Sequence, residues 1–270
     1  MLISIRLKNL MEENFERKIK KGTRFKRFKD SELFKVVEEV FDSQTLQSLY
    51  YLMNKGYIDK IYGVVAAGKE ARIYWAEDSQ NRDLAVKIFL VKTAEFRRGR
   101  LKYIEGDPRF KRIRKDIRSI VRIWCSKEFR NLKRAYESGI RVPQPYTFKD
   151  NILLMEFINS GIRGKPAPTI KEKVPEDPEE AYYQIISAIE KLYNKAKLVH
   201  ADLSEYNILN KDEKLYIIDW GSAVHGMHPH AEEFLLRDIV NITRFFESLG
   251  VKVEDPQNIY KRIISRGFPR

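Results

Sequence analysis

The segment from Val199 to Asn207 carries a histidine, a carboxylate and an amide at close, regular spacing: His200, Asp202 and Asn207. A carboxylate in such a loop can orient or deprotonate a hydroxyl nucleophile, and an amide oxygen nearby can hold a metal ion. A second carboxylate, Asp219, follows at the end of the apolar run Leu215–Ile218. Together these groups predict metal-assisted transfer of a phosphoryl group.

Lys87 lies in the middle of the apolar run Leu84–Ile88. An isolated buried ammonium is very costly, so this lysine either reaches the surface or has a carboxylate partner. Glu128, in the helical pattern that follows, can supply that partner. A strand lysine paired with a helix glutamate holds the α- and β-phosphates in protein kinases. The spacing His-x-Asp-x4-Asn is that of the kinase catalytic loop, and Asp219-Trp-Gly is a variant of Asp-Phe-Gly.

The stretch GVVAAGKEARIY, residues 63–74, satisfies most of the phosphate-loop pattern G-x4-G-K-[ST], but Glu70 stands at the hydroxyl position. A loop of that kind leads into a helix, whereas the residues after Lys69 alternate towards Ile73 and Trp75 as in a strand. The match is either fortuitous or belongs to a hairpin whose backbone N–H groups cover phosphates.

These residues need two lobes to position them. The periodicity predicts a helix capped near Asp42, short antiparallel strands across 61–88, a helix at 113–137, and strands at Tyr146–Phe148 and Ile152–Phe157. It then predicts mainly helical structure, at 179–197, 229–249 and 256–265, with a hairpin at 208–220. This order predicts an α+β fold, with an antiparallel sheet and one long helix in the first lobe and a reduced, mostly helical second lobe.

Composition narrows the class of protein further. The 270 residues contain one cysteine, Cys125, which excludes an intramolecular disulfide and suits a reducing cytoplasm. We interpret Cys125 as a core residue rather than a reactive thiol. No apolar run approaches the roughly 18 residues of a membrane helix, so no membrane partner is expected.

The net charge of +13 is concentrated in two segments. Residues 1–30 carry 10 Lys/Arg against 4 Asp/Glu, and residues 92–118 carry 11 against 4. Aromatic residues alternate with the charges in both. Such patches favour a polyanionic partner, RNA above all, although a solvated face and a flexible tail would have the same composition.

Across residues 45–255 the chain resembles the RIO family of atypical kinases, most closely its type-one branch. The resemblance is carried by Gly68-Lys-Glu-Ala71, Ala85-Val-Lys-Ile88, Trp124-x-x-Lys-Glu128-x-x-Asn-Leu132, Val199–Asn207, Ile217-Ile-Asp219 and the stretch from His228 to Asp238. Two departures stand out: Ala66-Ala67 replaces the usual Ser-Thr, and Trp220-Gly221-Ser222 is unusual after the aspartate.

The resemblance implies binding of ATP with Mg2+ or Mn2+. It implies Asp202, Lys87 and Glu128 as catalytic residues, Asn207 and Asp219 as metal ligands, and nucleotide contacts from Val65, Gly68, Lys69, Glu70, Val86, Lys87, Met155, Glu156, Ile158 and Asn207. It also implies autophosphorylation, ATPase activity and a role in maturation of the small ribosomal subunit, with the precursor particle and its RNA as partners of a monomeric chain.

The charge pattern and the order of elements divide the chain into a basic arm at 1–44, a first lobe at 45–158 with a basic insert at 92–116, and a second lobe at 159–270. Only 51 residues follow Asp219, and no Ala-Pro-Glu segment occurs, so we expect no conventional platform for protein substrates. Two alternatives stay open: a nucleotide-gated RNA-binding assembly factor, and a small-molecule kinase of the same fold. His225, His228 and His230 could bind a metal, but we favour a loop flanking the site.

Overall fold

The structure is a computed structural model that describes residues 42–91, Tyr103, Asp107 and 116–266. The predicted basic arm therefore lies almost wholly outside the described residues, and so does most of the basic insert. The elements, in chain order, are α1 Ser43–Asn54, β1 Lys60–Ala67, β2 Ala71–Glu77, β3 Asp83–Phe89, α2 Ile117–Glu137, β4 Pro145–Lys149, β5 Ile152–Glu156, α3 Pro178–Asn194, β6 Leu198–Val199, β7 Ile208–Lys211, β8 Lys214–Ile217, β9 Val224–His225, α4 Ala231–Ser248 and α5 Pro256–Ser265.

The first lobe is built on a five-stranded antiparallel sheet with the order β1-β2-β3-β5-β4. Strand β3 lies at its centre, and the register pairs Ala85 with Met155 and Lys87 with Leu153. Because side chains alternate across a strand, Ala85 and Lys87 share one face of the sheet. The α+β fold and the strands predicted across 61–88 are confirmed.

The other face of β3 packs against α1. Val86 is fully buried in a cluster that includes Leu49 and Leu52 of α1. Helix α1 begins where the sequence predicts, because the Asp42 carboxylate accepts hydrogen bonds from the backbone N–H groups of Gln44 and Thr45.

Helix α2 covers the face of the sheet that carries Lys87. The Asp116 carboxylate caps its first turn by accepting the N–H of Ser119 at 2.9 Å. Cys125 is fully buried on this helix, and burial raises the pKa of its thiol well above the usual value. The interpretation of Cys125 as a core residue is therefore confirmed. The predicted helical residues 113–115 lie outside the described part of the chain.

A single hydrophobic cluster runs from α2 into the second lobe, where it joins α3, α4 and α5. Two predicted boundaries were wrong. Helix α3 ends at Asn194 rather than 197, and Lys197 adopts a left-handed φ of 55° that cannot continue a helix. Strand β8 ends at Ile217 rather than 220, because Asp219 is left-handed at φ 63° and cannot be extended.

The residues that follow β5 fold back onto the first-lobe sheet. Arg163 binds the carboxylates of Glu77 and Asp83, and its guanidinium lies 5.9 Å from the centre of the Trp75 ring. Gly164, at φ 74°, lies against the same ring. This segment thus ties the start of the second lobe to β2 and β3, while the lobe boundary at 158/159 stays a prediction. Among the described helices, none is long and apolar enough to cross a membrane.

Candidate active site

Lys87 is the charge at the centre of the site. Its Nζ lies 2.7 Å from Oε1 of Glu128 on α2 and 2.9 Å from Oδ1 of Asp219, beyond β8. The predicted pairing of Lys87 with Glu128 is therefore present. Asp219 is a second carboxylate partner of Lys87, and the sequence did not indicate this second pairing. Burial works to lower the pKa of the Lys87 ammonium, but the charges of Asp219 and Glu128 outweigh it and hold the pKa above its usual range.

The two carboxylates differ sharply in exposure. The side chain of Glu128 is 2 % exposed, whereas that of Asp219 is 49 % exposed. The buried carboxylate fixes the ammonium in place. The half-exposed carboxylate remains accessible to a ligand in the cleft. Lys87 is thus held from both lobes at once, with Asp219 on the open side of the cleft.

Asp202 protrudes from a loop that is anchored on both sides. The N–H groups of Ala201 and Leu203 donate to the two carboxylate oxygens of Asp238 at 2.7 and 3.0 Å. Arg237, the residue before Asp238, donates to the carbonyl of Ala201. The Asp202 side chain itself is exposed. The loop is therefore built to direct one carboxylate outwards.

Asp238 works from a fully buried position on α4. Burial raises the pKa of its carboxyl to about 7, although the N–H groups of Leu203 and Ala201 work to lower it. Sequence reasoning missed this anchoring role. The signal was an acidic residue in the middle of the apolar face of a helix, which requires a buried polar partner.

Asn207 closes the same loop and reaches the strand that leads to Asp219. Its side-chain N–H donates to the carbonyl of Asp202 at 2.8 Å, and its own carbonyl accepts the N–H of Ile218 at 2.9 Å. This places Asn207 beside the residue that precedes Asp219. Since the amide nitrogen faces Asp202, the amide oxygen is oriented as an acceptor.

The donor set of Asn207 and Asp219 fits a hard divalent cation. Amide and carboxylate oxygens are ligands that Mg2+ accepts, and Mg2+ usually retains waters and phosphate oxygens in its remaining positions. When bound, such a metal neutralises charge that develops on a transferring phosphoryl group. The roles assigned to these two residues stay predictions.

His200 and Trp220 form the floor beneath this part of the site. Nε2 of His200 lies 3.0 Å from the carbonyl of Ile218, and its ring meets that of Trp220 edge-on at 4.9 Å. Complete burial lowers the pKa of His200 to about 4, so the ring is neutral at pH 7 and Nε2 carries the donated proton. The unusual Trp220 is therefore a packing residue, 1 % exposed.

The predicted phosphate loop is the turn between β1 and β2. Gly68 donates its N–H to the carbonyl of Ala71 at 2.9 Å, which closes the turn, and Gly68 and Lys69 are exposed. The turn leads from strand to strand, as the alternating pattern indicated. The hairpin interpretation is therefore confirmed, and its contact with phosphate stays a prediction.

One predicted nucleotide contact needs correction. Val86 lies on the α1 face of the sheet, fully buried and opposite Lys87, so its side chain cannot line the cleft. Ala85 and its cross-strand partner Met155 share the face of Lys87 instead. The other predicted contacts form three groups, in β1 and its turn, in β3 with the end of β5, and in the second lobe: Val65, Gly68, Lys69 and Glu70; Lys87, Met155, Glu156 and Ile158; and Asn207.

The three nearby histidines are engaged locally. Nδ1 of His225 accepts the N–H of Met227, and Nδ1 of His228 accepts the N–H of His230, each at 3.2 Å. His230 lies 3.0 Å from Glu233. No group of three or more His, Cys, Asp or Glu suited to a metal ion occurs in the described ranges 42–91 and 116–266.

A sheet-bearing lobe, a helical lobe and a lysine held by acids from both define a protein-kinase-like protein. Comparison with known families shows that residues 72–259 match the model described as the RIO domain. The RIO-type serine/threonine-protein kinase Rio1 of Haloferax volcanii is 41 % identical over 235 residues, covering 87 % of this chain and 79 % of the relative. The Rio1 kinase of Methanocaldococcus jannaschii is 38 % identical over 255 residues, covering 94 % and 86 %.

Among solved structures, the Rio2 kinase from Chaetomium thermophilum in an ADP/Mg2+-phosphoaspartate complex matches with a TM-score of 0.64 and 24 % identity, covering 82 % of this chain and 66 % of that one. At this identity the match supports the fold alone. The chain belongs to the RIO family of atypical serine/threonine kinases, and within it to the Rio1 type.

Proposed function

We propose that this RIO kinase uses ATP and Mg2+ (or Mn2+) to phosphorylate serine or threonine, labels itself, hydrolyses ATP, and acts in maturation of the small ribosomal subunit. The observation that carries the catalytic part is Lys87, held at 2.7 and 2.9 Å by Glu128 and Asp219. A lysine fixed in this way suits the α- and β-phosphates of a nucleotide. The Rio2 kinase of similar fold forms a complex with ADP and Mg2+, which supports the same cofactors here.

The chain's own groups divide the work as follows. Lys87 binds phosphate oxygens, and Glu128 keeps its ammonium in position. Asp202 accepts the proton of the attacking hydroxyl or water, since it is the exposed carboxylate of the anchored loop. Asn207 and Asp219 hold the metal.

The short connection after Asp219 supports a restricted choice of substrate. Eleven residues, 220–230, separate Asp219 from the start of α4 at Ala231. Conventional protein kinases place an activation loop and a peptide-docking segment in this interval. The eleven residues leave no room for either segment. This favours autophosphorylation and ATP hydrolysis regulated by a large partner over phosphorylation of many protein substrates.

The test is ATP turnover and self-labelling by the purified chain, with and without precursor small-subunit particles. We expect Asp202→Asn to lower turnover by about 100-fold or more, since a positioned acid–base group contributes at least that factor. Asp59→Asn is a matched control, because Asp59 is a 53 % exposed carboxylate that directly precedes β1 and has no role in the proposed chemistry. If the wild type neither releases phosphate nor labels itself, or if Asp202→Asn matches the control, the catalytic proposal fails.

Stimulation by a metabolite but not by ribosomal particles would support a small-molecule kinase instead. We also propose a cytoplasmic location, because the single cysteine is buried and free, and we propose that the chain is a monomer. Light scattering of the purified protein would measure its mass directly.

A described surface supports RNA binding as a second function. Arg118, Arg122 and Lys149 line a cavity of about 320 Å3 between α1 and α2. These three cations face two carboxylates, because Arg118 pairs with Asp42 and both Arg122 and Lys149 pair with Asp150. Val91 and Arg118 are also in its wall, so the cavity lies where the chain enters and leaves the basic residues 92–115. We propose that an RNA held by residues 92–115 contacts these three side chains as well.

This RNA contact is testable through its salt dependence. Replacing Arg118, Arg122 and Lys149 by Gln should weaken RNA binding and reduce the slope of log K against log[salt] by about 0.7 for each lost contact with single-stranded RNA. The control changes three exposed second-lobe lysines to Gln, at 171, 195 and 214. An unchanged slope in the first variant, or an equal change in both, would contradict this contact surface.

A further inference from the structure

A second lysine of α2, Lys127, is buried immediately before Glu128. Its side chain is fully shielded, and its ammonium donates hydrogen bonds to the carbonyls of Gly221 (2.8 Å) and Ala223. A buried ammonium is tolerated only where such acceptors are fixed around it. Lys127 therefore requires the chain after Asp219 to follow one particular path.

Asn131, one turn further along α2, binds the same stretch of chain. Its side-chain N–H group donates to the carbonyls of Trp220 at 3.0 Å and Ala223 at 2.7 Å. The two side chains thus make four buried hydrogen bonds to residues 220–223. Hydrogen bonds from a charged donor are about twice as strong as neutral ones, so Lys127 is the dominant partner.

Close packing adds to this attachment at Gly221. A Cβ atom built on Gly221 would lie 2.8 Å from Nε1 of Trp124 and 3.0 Å from Oε2 of Glu128. Both belong to α2. The backbone after Asp219 therefore lies directly against the helix that supplies Glu128, with no space for an intervening side chain.

We propose that Lys127 and Asn131 are positioning residues that hold the Asp219 carboxylate where it meets Lys87 and the metal. The inference rests on the proposed metal role of Asp219. The ammonium of Lys127 would lose its carbonyl partners if α2 moved away. Helix α2 and the Asp219 turn, residues 219–223, therefore move as one unit. The site is therefore assembled before nucleotide binds, and outward displacement of α2 is not a means of regulation in this chain.

The experiment compares Lys127→Met and Asn131→Ala with Lys133→Met. Methionine keeps the length of the lysine and removes its donors, and Lys133 is a 56 % exposed residue of the same helix. We expect Lys127→Met to raise the Mg2+ concentration for half-maximal turnover by at least 10-fold, with the KM for ATP at saturating Mg2+ changed less than 3-fold. Asn131→Ala should shift the Mg2+ requirement in the same direction by about 3-fold, and Lys133→Met should not.

A binding measurement keeps this inference separate from the proposed activity. Mn2+ affinity is measured by electron paramagnetic resonance with a non-hydrolysable ATP analogue, so a lack of turnover does not affect it. A matching loss of Mn2+ affinity in Lys127→Met supports the positioning role. If Lys127→Met does not fold, Asn131→Ala decides the matter. A folded variant with unchanged metal requirement and unchanged Mn2+ affinity would overturn the proposal, whatever its rate of turnover.

Discussion

Lys87 and its two carboxylate partners, Glu128 and Asp219, should contribute very differently to the free energy of unfolding. Replacing any one of the three should abolish activity. Lys87→Met leaves the carboxylate of Glu128, 2 % exposed, without its ammonium partner. Breaking a buried pair in this way costs about 3–5 kcal/mol. In a chain of this size that amounts to a fall of about 10 °C in Tm.

Asp219→Asn removes the half-exposed carboxylate and leaves the buried pair of Lys87 and Glu128 intact. Exposed ion pairs contribute about 0–1 kcal/mol, so this variant should lose little stability. Glu128→Gln should fall between the two, at about 2 kcal/mol, because Lys87 keeps Asp219 as a charged partner and the amide still accepts a hydrogen bond.

Urea unfolding followed by circular dichroism gives the three free energies, provided that the m-value stays constant. The pH dependence is a second check. The loss in free energy of unfolding caused by Lys87→Met should decrease as the pH falls, because a proton can neutralise Glu128 once the Lys87 ammonium is gone. If Asp219→Asn destabilised the fold as much as Lys87→Met, or if Lys87→Met had no effect, the assignment of the buried and exposed partners would be refuted.

Three further predictions concern residues around the site. Burial holds the pKa of His200 at about 4, below its ordinary value, so this residue stabilises the fold above about pH 6.5 and loses that contribution as the pH falls towards 4; urea midpoints should fall less over this window for His200→Phe, and an identical fall would contradict the burial argument. Ala85→Leu should raise the KM for ATP by about 10-fold, whereas Val86→Leu, on the α1 face, should lower stability by about 1–3 kcal/mol with the KM unchanged; equal KM effects would contradict the assigned faces. Gly164→Ala should destabilise the fold by about 2 kcal/mol more than Gly161→Ala, because both have left-handed φ but only the first would place a Cβ 2.7 Å from the Trp75 ring; equal urea midpoints would exclude that clash.

Much of the site was predictable because its signals are local. The alternation around Lys87 predicts a strand, and the spacing from His200 to Asn207 predicts a loop whose carboxylate can orient or deprotonate a nucleophile. Even the long-range pairing of Lys87 with Glu128 follows from a simple requirement: a lysine in an apolar strand needs a buried acid, and the next helix offers one.

The remainder depended on tertiary packing. The alternation of side chains along β3 puts Val86 and Lys87 on opposite faces of the sheet, but it does not say which other residues of the strand line the cleft. Val86 was therefore predicted to contact the nucleotide, although it faces α1. The left-handed φ of Asp219 and the acceptors of Lys127 are set by backbone that is distant in sequence. No pattern of residue types predicts which carbonyl groups an internal lysine will meet.

Two of the chain's three tryptophans, Trp124 and Trp220, are 1 % exposed and lie beside the Asp219 turn. Trp124 lies against Gly221, and Trp220 follows Asp219 directly and meets the ring of His200. The third, Trp75, stacks on Tyr62 at a ring distance of 4.0 Å and pairs with Ala85 across β2 and β3, so it lies on the face of the sheet that carries Lys87. Intrinsic fluorescence is therefore an optical record of the site without any added label. In a Trp75→Phe variant, the emission comes from Trp124 and Trp220 alone. Changes in that emission during titration with metal or nucleotide would then report on the surroundings of the Asp219 turn.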